Sequence, residues 1–461
     1  MIKFGKLAIL LEAQLKRPGY NTAEKKVSAG RFWFGSVFLV MVTTGHCSAE
    51  QSVGEFAAVG QQATVMLPKT GFGPEDLAVI VNDADPLSVE IATYYQKKRG
   101  IPQRNLIHVR FNAAGAVMEP VEFGKIKAEV DEKTPREVQA YALTWVKPFR
   151  VGCMSITTAF AAGFDKKYCA EGCSLTQALP YFNSASRAPF NDYGLRPTMS
   201  IAAQSFEEAR KLIDRGVESD RSFPSGTAYL LDTSDRARNV RVQFYGELMR
   251  YLKGWLKVEH VRANLIEHKP DVLFYFTGLA KVDGLASNTF VPGAIADHLT
   301  SAGGMLTGSE QMSSLRWLEA GATGSYGSVV EPCNFPAKFP NPAIVTARYA
   351  AGESLIEAYW KSVAMPGQGI FIGEPLARPF GGYMETIKNG DISIVTYLPP
   401  GVYSVFSADS AVGPYRAIAR AVFFGRGRQE IKLENAKNTF YKIVPDRPLA
   451  RGREKTRKEI I

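Results

Sequence analysis

Four side chains capable of chemistry stand close together late in the chain: His298, Ser309, Glu331 and Cys333. Cys333 can serve as a thiolate nucleophile, which needs a base within hydrogen-bond reach and oxyanion donors nearby. It follows a strand-like run in VVEPCNFP, and His298 is the base best placed by sequence neighbourhood. Asp297 could orient the imidazole, but adjacent residues of a helix point about 100° apart, which argues against that pairing. A cysteine between Pro332 and Pro336 is also a natural disulfide partner or a small buried hydrophobe. Ser309, directly after GGMLTG, stands where a helix should begin, and N-capping accounts for it without catalysis.

A second set is acidic. Asp232 and Asp235 in LLDTSDRARN end a strand-like run beside Arg236 and Arg238, where carboxylates could hold a cation or a basic side chain. Asp83 and Asp85 end the first strand-like run and are expected on the same sheet edge; Asp85 is as easily the N-cap before Pro86. Arg196 and Arg215 are candidate partners for such acids, and His108, His260 and His268 read as structural. Asp83, Asp232, Asp235 and Glu331 are therefore the candidate binding residues, with Cys333 and His298 the candidate catalytic pair.

These residues need a frame. LAVIVND, NLIHVRF, YALTWVKPFRV, GTAYLLDT, DVLFYFTG, GGMLTG and GATGSYGSVV read as buried strands. PLSVEIATYYQKKRG, VEFGKIKAEVDEK, SFEEARKLIDRG, RNVRVQFYGELMRYLK, SEQMSSLRWLEAG and GESLIEAYWKSV read as helices, and TFVPGAIADHLTS as a short one. Strand–helix alternation is the mark of a mostly parallel sheet with helices on both faces. Parallel strands deliver their outgoing loops to one edge, so the reactive residues should gather there. Residues 152–200, rich in Cys, Ser and Pro, are expected as an insertion, and no internal repeat is visible. From residue 383 to 445 the pattern alternates apolar and polar positions, predicting an antiparallel β module. The α/β domain is thus expected over 75–382, after a linker at 50–74.

The formal net charge of +10 is concentrated at the ends: +5 in residues 1–31 and +4 in 447–461, leaving a body of about +1. A nearly neutral body argues against a nucleic-acid groove. The basic stretch 446–461 is expected to be a disordered tail. The uncharged run FWFGSVFLVMVTT, after Lys25, Lys26 and Arg31 and before Cys47-Ser48-Ala49, fits a signal peptide or membrane leader over residues 1–49. Export permits disulfides. Beyond the leader, Cys153, Cys169, Cys173 and Cys333 allow three pairings. Cys153, Cys169 and Cys173 form a cluster with no histidine nearby, which favours a disulfide over a metal; no metal site and no cofactor are expected.

The motifs IVNDADPLSVEIATYYQKKRGIPQRNL, CMSITTAF, RPTMSIAA, GAIADHLTSAGG, SYGSVVEPCNFPAKFPNP and GESLIEAYWKSVAMPGQGIFIGEPLARPF resemble an uncharacterised family of exported bacterial proteins. That family occurs in genomes encoding an exosortase-type protein-sorting system, and the likeness spans roughly residues 75–385. At the level of architecture the chain also resembles caspase and gingipain peptidases, implying a caspase-like α/β sheet followed by an immunoglobulin-like β-sandwich module. In those enzymes a His follows the strand equivalent to DVLFYFTG and a Cys closes the next. The corresponding places here fall at Leu279 and around Leu306 or Thr307, none of which can do that chemistry. The expectation is an exported, periplasmic or cell-envelope accessory protein that binds a protein or peptide and no nucleic acid. Membrane contact would run only through the leader or the basic tail, and the alternative is a cysteine-type hydrolase using Cys333 and His298.

Overall fold

The computed structural model describes residues 63–170, 172–388, 391–433 and 440–446. The expected leader at 1–49, residues 50–62 and the tail from 447 lie outside the described residues. Within the described part, no helix is long and apolar enough to cross a membrane.

Ten strands form the main sheet: β1 (Leu77–Asn82), β2 (Leu106–Val109), β3 (Ala140–Leu143), β4 (Thr198–Ser200), β5 (Thr227–Leu231), β6 (Lys257–Val261), β7 (Val272–Thr277), β8 (Phe290–His298), β9 (Gly324–Ser328) and β10 (Gly369–Gly373). Their order is β6-β5-β7-β8-β9-β10-β4-β3-β1-β2. The β1, β3, β5 and β7 residues are all buried, as expected of strands covered on both faces. Several connecting helices begin at a side-chain cap. In α1 (Pro86–Arg99), Asp85 accepts from the Leu87 N–H at 3.0 Å, Pro86 occupies the first turn and Gly100 ends the helix at φ +64°. In α2 (Phe206–Ser219) the cap is Ser205, and before Leu355–Ser362 it is the reciprocal pair Ser354 and Glu357.

The direction of the strands divides the sheet in two. All neighbours pair in parallel except β9 and β10, which are antiparallel. Numbered along the chain, β1 to β4 lie in the order 2-1-3-4 with β10 beside the fourth. Strands β5 to β9 lie in the order 2-1-3-4-5. The sheet therefore consists of two halves of the same winding joined back to back, a structural repetition with no sequence counterpart. The halves run in opposite directions, so their outgoing loops leave from opposite rims.

That inversion corrects one expectation: Asp83, after β1, and Asp232 and Asp235, after β5, do not share a sheet edge. Residues 290–298, expected as a helix, are the long central strand β8, because burial of Gly293–His298 between two parallel neighbours overrides the weak helical pattern of GAIADH. The GGMLTG run is a loop rather than a strand. Gly304 lies against the Gly327 backbone so closely that a Cβ would stand 2.6 Å from the Gly327 carbonyl oxygen. The helix expected from Ser309 is reduced to Leu315–Ala320. Residues 152–200 are no mere insertion: they supply the helix Ile156–Ala162 and end in the central strand β4.

The C-terminal module is a β-sandwich. One sheet contains Tyr383–Lys388, Asp391–Thr396 and Gln429–Leu433; the other contains Gly401–Ala408, Arg416–Phe424 and Phe440–Pro445. Thr64–Met66 pairs in parallel with Phe440–Pro445, so the expected linker is ordered from residue 63 onward. Val65, Ile394, Tyr403, Val405, Ile431 and Ile443 fill the space between the two sheets.

Candidate functional site at the second rim

In a 2-1-3-4-5 winding, the crevice lies where the first and third strands diverge. In the second half that point is bounded by the ends of β5 and β7. The Thr233 hydroxyl donates to the Gly278 carbonyl at 2.8 Å. Gly278 itself is pressed against the next loop: a Cβ there would stand 2.0 Å from the Arg238 carbonyl oxygen. The glycine of the FTG motif is thus required by close approach of two backbones.

Around this contact the polar groups form one chain. Asp235 caps the following turn, receiving the Arg238 N–H at 3.1 Å and its guanidinium at 2.8 Å. Burial opposes the charge on Asp235, but the side-chain and backbone hydrogen bonds from Arg238 outweigh it and hold the carboxyl below its usual range. Arg238 Nε donates to Thr300 Oγ1 at 3.0 Å, and Thr300 donates to Gln311 Oε1 at 2.7 Å. Asp232 accepts from Asn239 Nδ2 at 2.5 Å and has Arg262 at 3.6 Å. Asp232, Asp235 and Arg238 keep about a quarter of their side-chain surface exposed, so the rim is accessible.

The loop after β9 closes one side. Glu331, exposed, accepts the Cys333 N–H at 2.7 Å, and Asn334 Nδ2 donates to the Ala237 carbonyl at 3.1 Å. Cys333 is bonded to Cys173, and Cys153 to Cys169. Of the three pairings open to four cysteines, these two bonds are the ones formed. Lys338 is drawn inward and donates to the Ser174 carbonyl at 2.6 Å, with burial pushing its ammonium pKa down. The segment around Cys173 is therefore tied onto the second rim by a disulfide and a lysine.

His298 ends β8 beneath this rim and is fully buried. Its Nδ1 accepts from Trp317 Nε1 at 2.9 Å, and its Nε2 lies 3.1 Å from the Met312 carbonyl, which fixes the Nε2–H tautomer. Burial pushes the imidazole down to about 3, against a small opposing effect of the Met312 bond. Its neighbour Asp297 points to the other face, where Arg241 meets it at 2.5 Å. The same guanidinium donates to the Thr277 carbonyl at 2.7 Å.

The expected catalytic pair is therefore not formed. The Cys333 sulfur is oxidised, and both nitrogens of His298 are committed inside the core. The strand neighbouring β7 closes at His298, not around Leu306 or Thr307. Ser309 accepts the Gln311 N–H at 3.0 Å, a local turn contact. Arg196 stacks on Phe190 at 3.3 Å with Asp131 at 3.6 Å, and Arg215 donates to the Leu318 and Ala322 carbonyls. Neither arginine meets a candidate acid. Asp83 pairs with His108 at 2.8 Å on the opposite rim. Among the described residues, no three His, Cys, Asp or Glu side chains converge on a metal site.

Asp232, Asp235, Glu331 and Cys333, singled out in the sequence, lie on one rim, and Arg238, noted beside the two aspartates, is there as well. Asn239, Arg262, Thr300 and Gln311 were not singled out; for Asn239 the RARN run after Asp235 was the available signal.

No family model matches the chain, and no curated protein matches it significantly. Among solved structures, one described as a protease is similar with a TM-score of 0.37 and 12% identity, covering 78% of this chain and 97% of that chain. At that score the likeness carries no argument.

Proposed function

We propose that this chain is an exported accessory protein that binds a protein or peptide at the second rim, without catalysing a reaction there. The observation that supports this reading best is the state of the two expected catalytic groups: a sulfur held in a disulfide and an imidazole sealed in the core. What the rim presents instead is a partly exposed array of carboxylates and guanidinium groups, suited to recognising polar main chain and charged side chains. Two disulfides fit an oxidising compartment. The setting beside exosortase-type surface-protein sorting rests on the resemblance of the motifs alone.

The test uses the purified chain without reductant. Thiol titration is expected to find Cys153, Cys169, Cys173 and Cys333 all unreactive. A synthetic peptide spanning the sorting segment of an exosortase substrate is expected to bind by calorimetry and to remain uncleaved. The double substitution Asp235→Ala/Arg238→Ala should weaken binding by about tenfold, the scale of one charge-assisted contact. Alkylation of Cys333 in the native protein, or cleavage of the peptide, would overturn the proposal.

A further inference from the structure

A cavity of about 450 Å³ lies away from the rim. It is lined by the helices Tyr245–Leu252 and Pro342–Ala350, by Asn183 and by Arg426 of the β-sandwich module. Arg426 is carried by the turn between Arg416–Phe424 and Gln429–Leu433, which packs against Trp255 through Gly427. The cleft is therefore built by both the α/β domain and the module, a usual place for a ligand.

Its lining is cationic. Arg250, Arg348 and Arg426 converge there with a single carboxylate, Glu247. Arg426 lies over the Tyr251 ring, 5.7 Å from its centroid, and Tyr251 is held by its hydroxyl on the Ala347 carbonyl at 3.3 Å. Arg348 is fixed by Asn183, through the backbone oxygen at 2.7 Å and the side-chain oxygen at 2.8 Å, and reaches Glu353 at 3.3 Å. Glu353 also faces Lys361 at 3.0 Å, so its charge is shared between two cations. Among the described residues neither Arg250 nor Arg426 forms an ion pair with an acidic side chain. Guanidinium groups gathered this way repel one another, and an oxyanion placed between them offsets that cost while taking up bidentate donors.

We propose that this cleft binds an oxyanion group, a carboxylate or a phosphate, of a small ligand or chain terminus, independently of the rim. Calorimetry on the full chain would use three probes: inorganic phosphate, a short acetylated peptide with a free C-terminal carboxylate, and the same peptide amidated. The expected result is binding of phosphate or of the free-carboxylate peptide with Kd below about 1 mM, and none of the amide. Whichever of the two binds names the source of the oxyanion. Arg250 and Arg426 are exposed, so Arg250→Ala/Arg426→Ala should fold with an unchanged Tm and weaken binding at least about tenfold, a loss of about 1.4 kcal/mol. Asp235→Ala/Arg238→Ala should leave it intact, which separates this cleft from the rim. The inference falls if neither oxyanion probe binds, if the amide binds equally, or if binding survives the double arginine substitution.

Discussion

The two halves of the main sheet share a winding and differ in what they do with it. In each, the residue after the first strand is an aspartate whose N–H donates to the last residue of the edge strand: Asp83 to Val109 at 2.9 Å, Asp232 to Val261 at 2.8 Å. In the first half the crevice is then filled. Asn82 clasps the Phe111 backbone through both amide atoms at 3.1 Å, Ser88 bonds Thr144 at 2.7 Å, and Trp145 packs edge-on against Phe111 and Phe160. In the second half it is left polar and partly open, with Asp232, Asp235 and Arg238 at the surface. Topology provides two equivalent crevices, and the side chains decide which can receive a ligand.

The largest expected effect comes from the bond that ties a first-half loop to the second rim. Cys173 and Cys333 are 160 residues apart in sequence, Cys153 and Cys169 only 16. In the chain-entropy view, opening the long loop costs about 5 kcal/mol and the short one about 3 kcal/mol. Urea unfolding of Cys173→Ser/Cys333→Ser and Cys153→Ser/Cys169→Ser should rank them in that order. If they rank the other way, the long bridge is not what holds the roof of the second rim.

Next is Arg241→Met, which removes the only cation facing Asp297 among the described residues and leaves its carboxylate in the core with the Tyr359 hydroxyl at 3.4 Å. Removing one member of a buried pair typically costs about 3–5 kcal/mol. Adding Asp297→Asn should restore part of the loss, because the amide carries no charge to bury. A loss below about 1 kcal/mol would show that the second half is not organised around this pair.

Much of the frame was legible. Runs such as LAVIVN and VLFYFT are β-branched and aromatic, and burial on both faces leaves few alternatives. Phe290–His298 was not legible, because Pro292, Gly293 and two alanines give no strand signal until parallel neighbours enclose them. The inversion of the sheet was hidden for a different reason. Strand–helix alternation reads as parallel throughout, whereas the two helices Pro342–Ala350 and Leu355–Ser362 return the chain so that β10 runs against β9. Asp83 was misplaced for that reason alone: its strand was read correctly and its direction relative to β5 was not. The acids of the candidate site were visible as carboxylates at a strand end. Their partners Thr300 and Gln311 are distant in sequence, and only the packed loops bring them to Arg238.

Acid should weaken the second half through His298. The folded imidazole stays neutral down to about pH 3, while the unfolded one takes up a proton near its ordinary value of about 6.5. The unfolded state therefore binds more protons between those values, and stability falls as pH drops from about 6.5 toward 3. At pH 4.5 the loss from this group is about 2.7 kcal/mol. The difference between wild type and His298→Gln, followed by urea unfolding from pH 7 to 4.5, isolates it from the carboxylates. An identical pH dependence in both proteins would mean that the imidazole is not sealed from water as its position implies.

The smallest effects test the rims directly. Asp235 supplies a turn cap and a charge-assisted bond to Arg238, so Asp235→Ala should cost about 1 kcal/mol. Asp83 holds only the exposed His108, so Asp83→Ala should cost at most about 0.5 kcal/mol. Partner binding should separate the two more sharply than stability does: loss at the second rim with Asp235→Ala, no change with Asp83→Ala. Should Asp83→Ala weaken binding instead, the open crevice would belong to the first half, and the filled aromatic end there would have to rearrange on contact to admit a ligand.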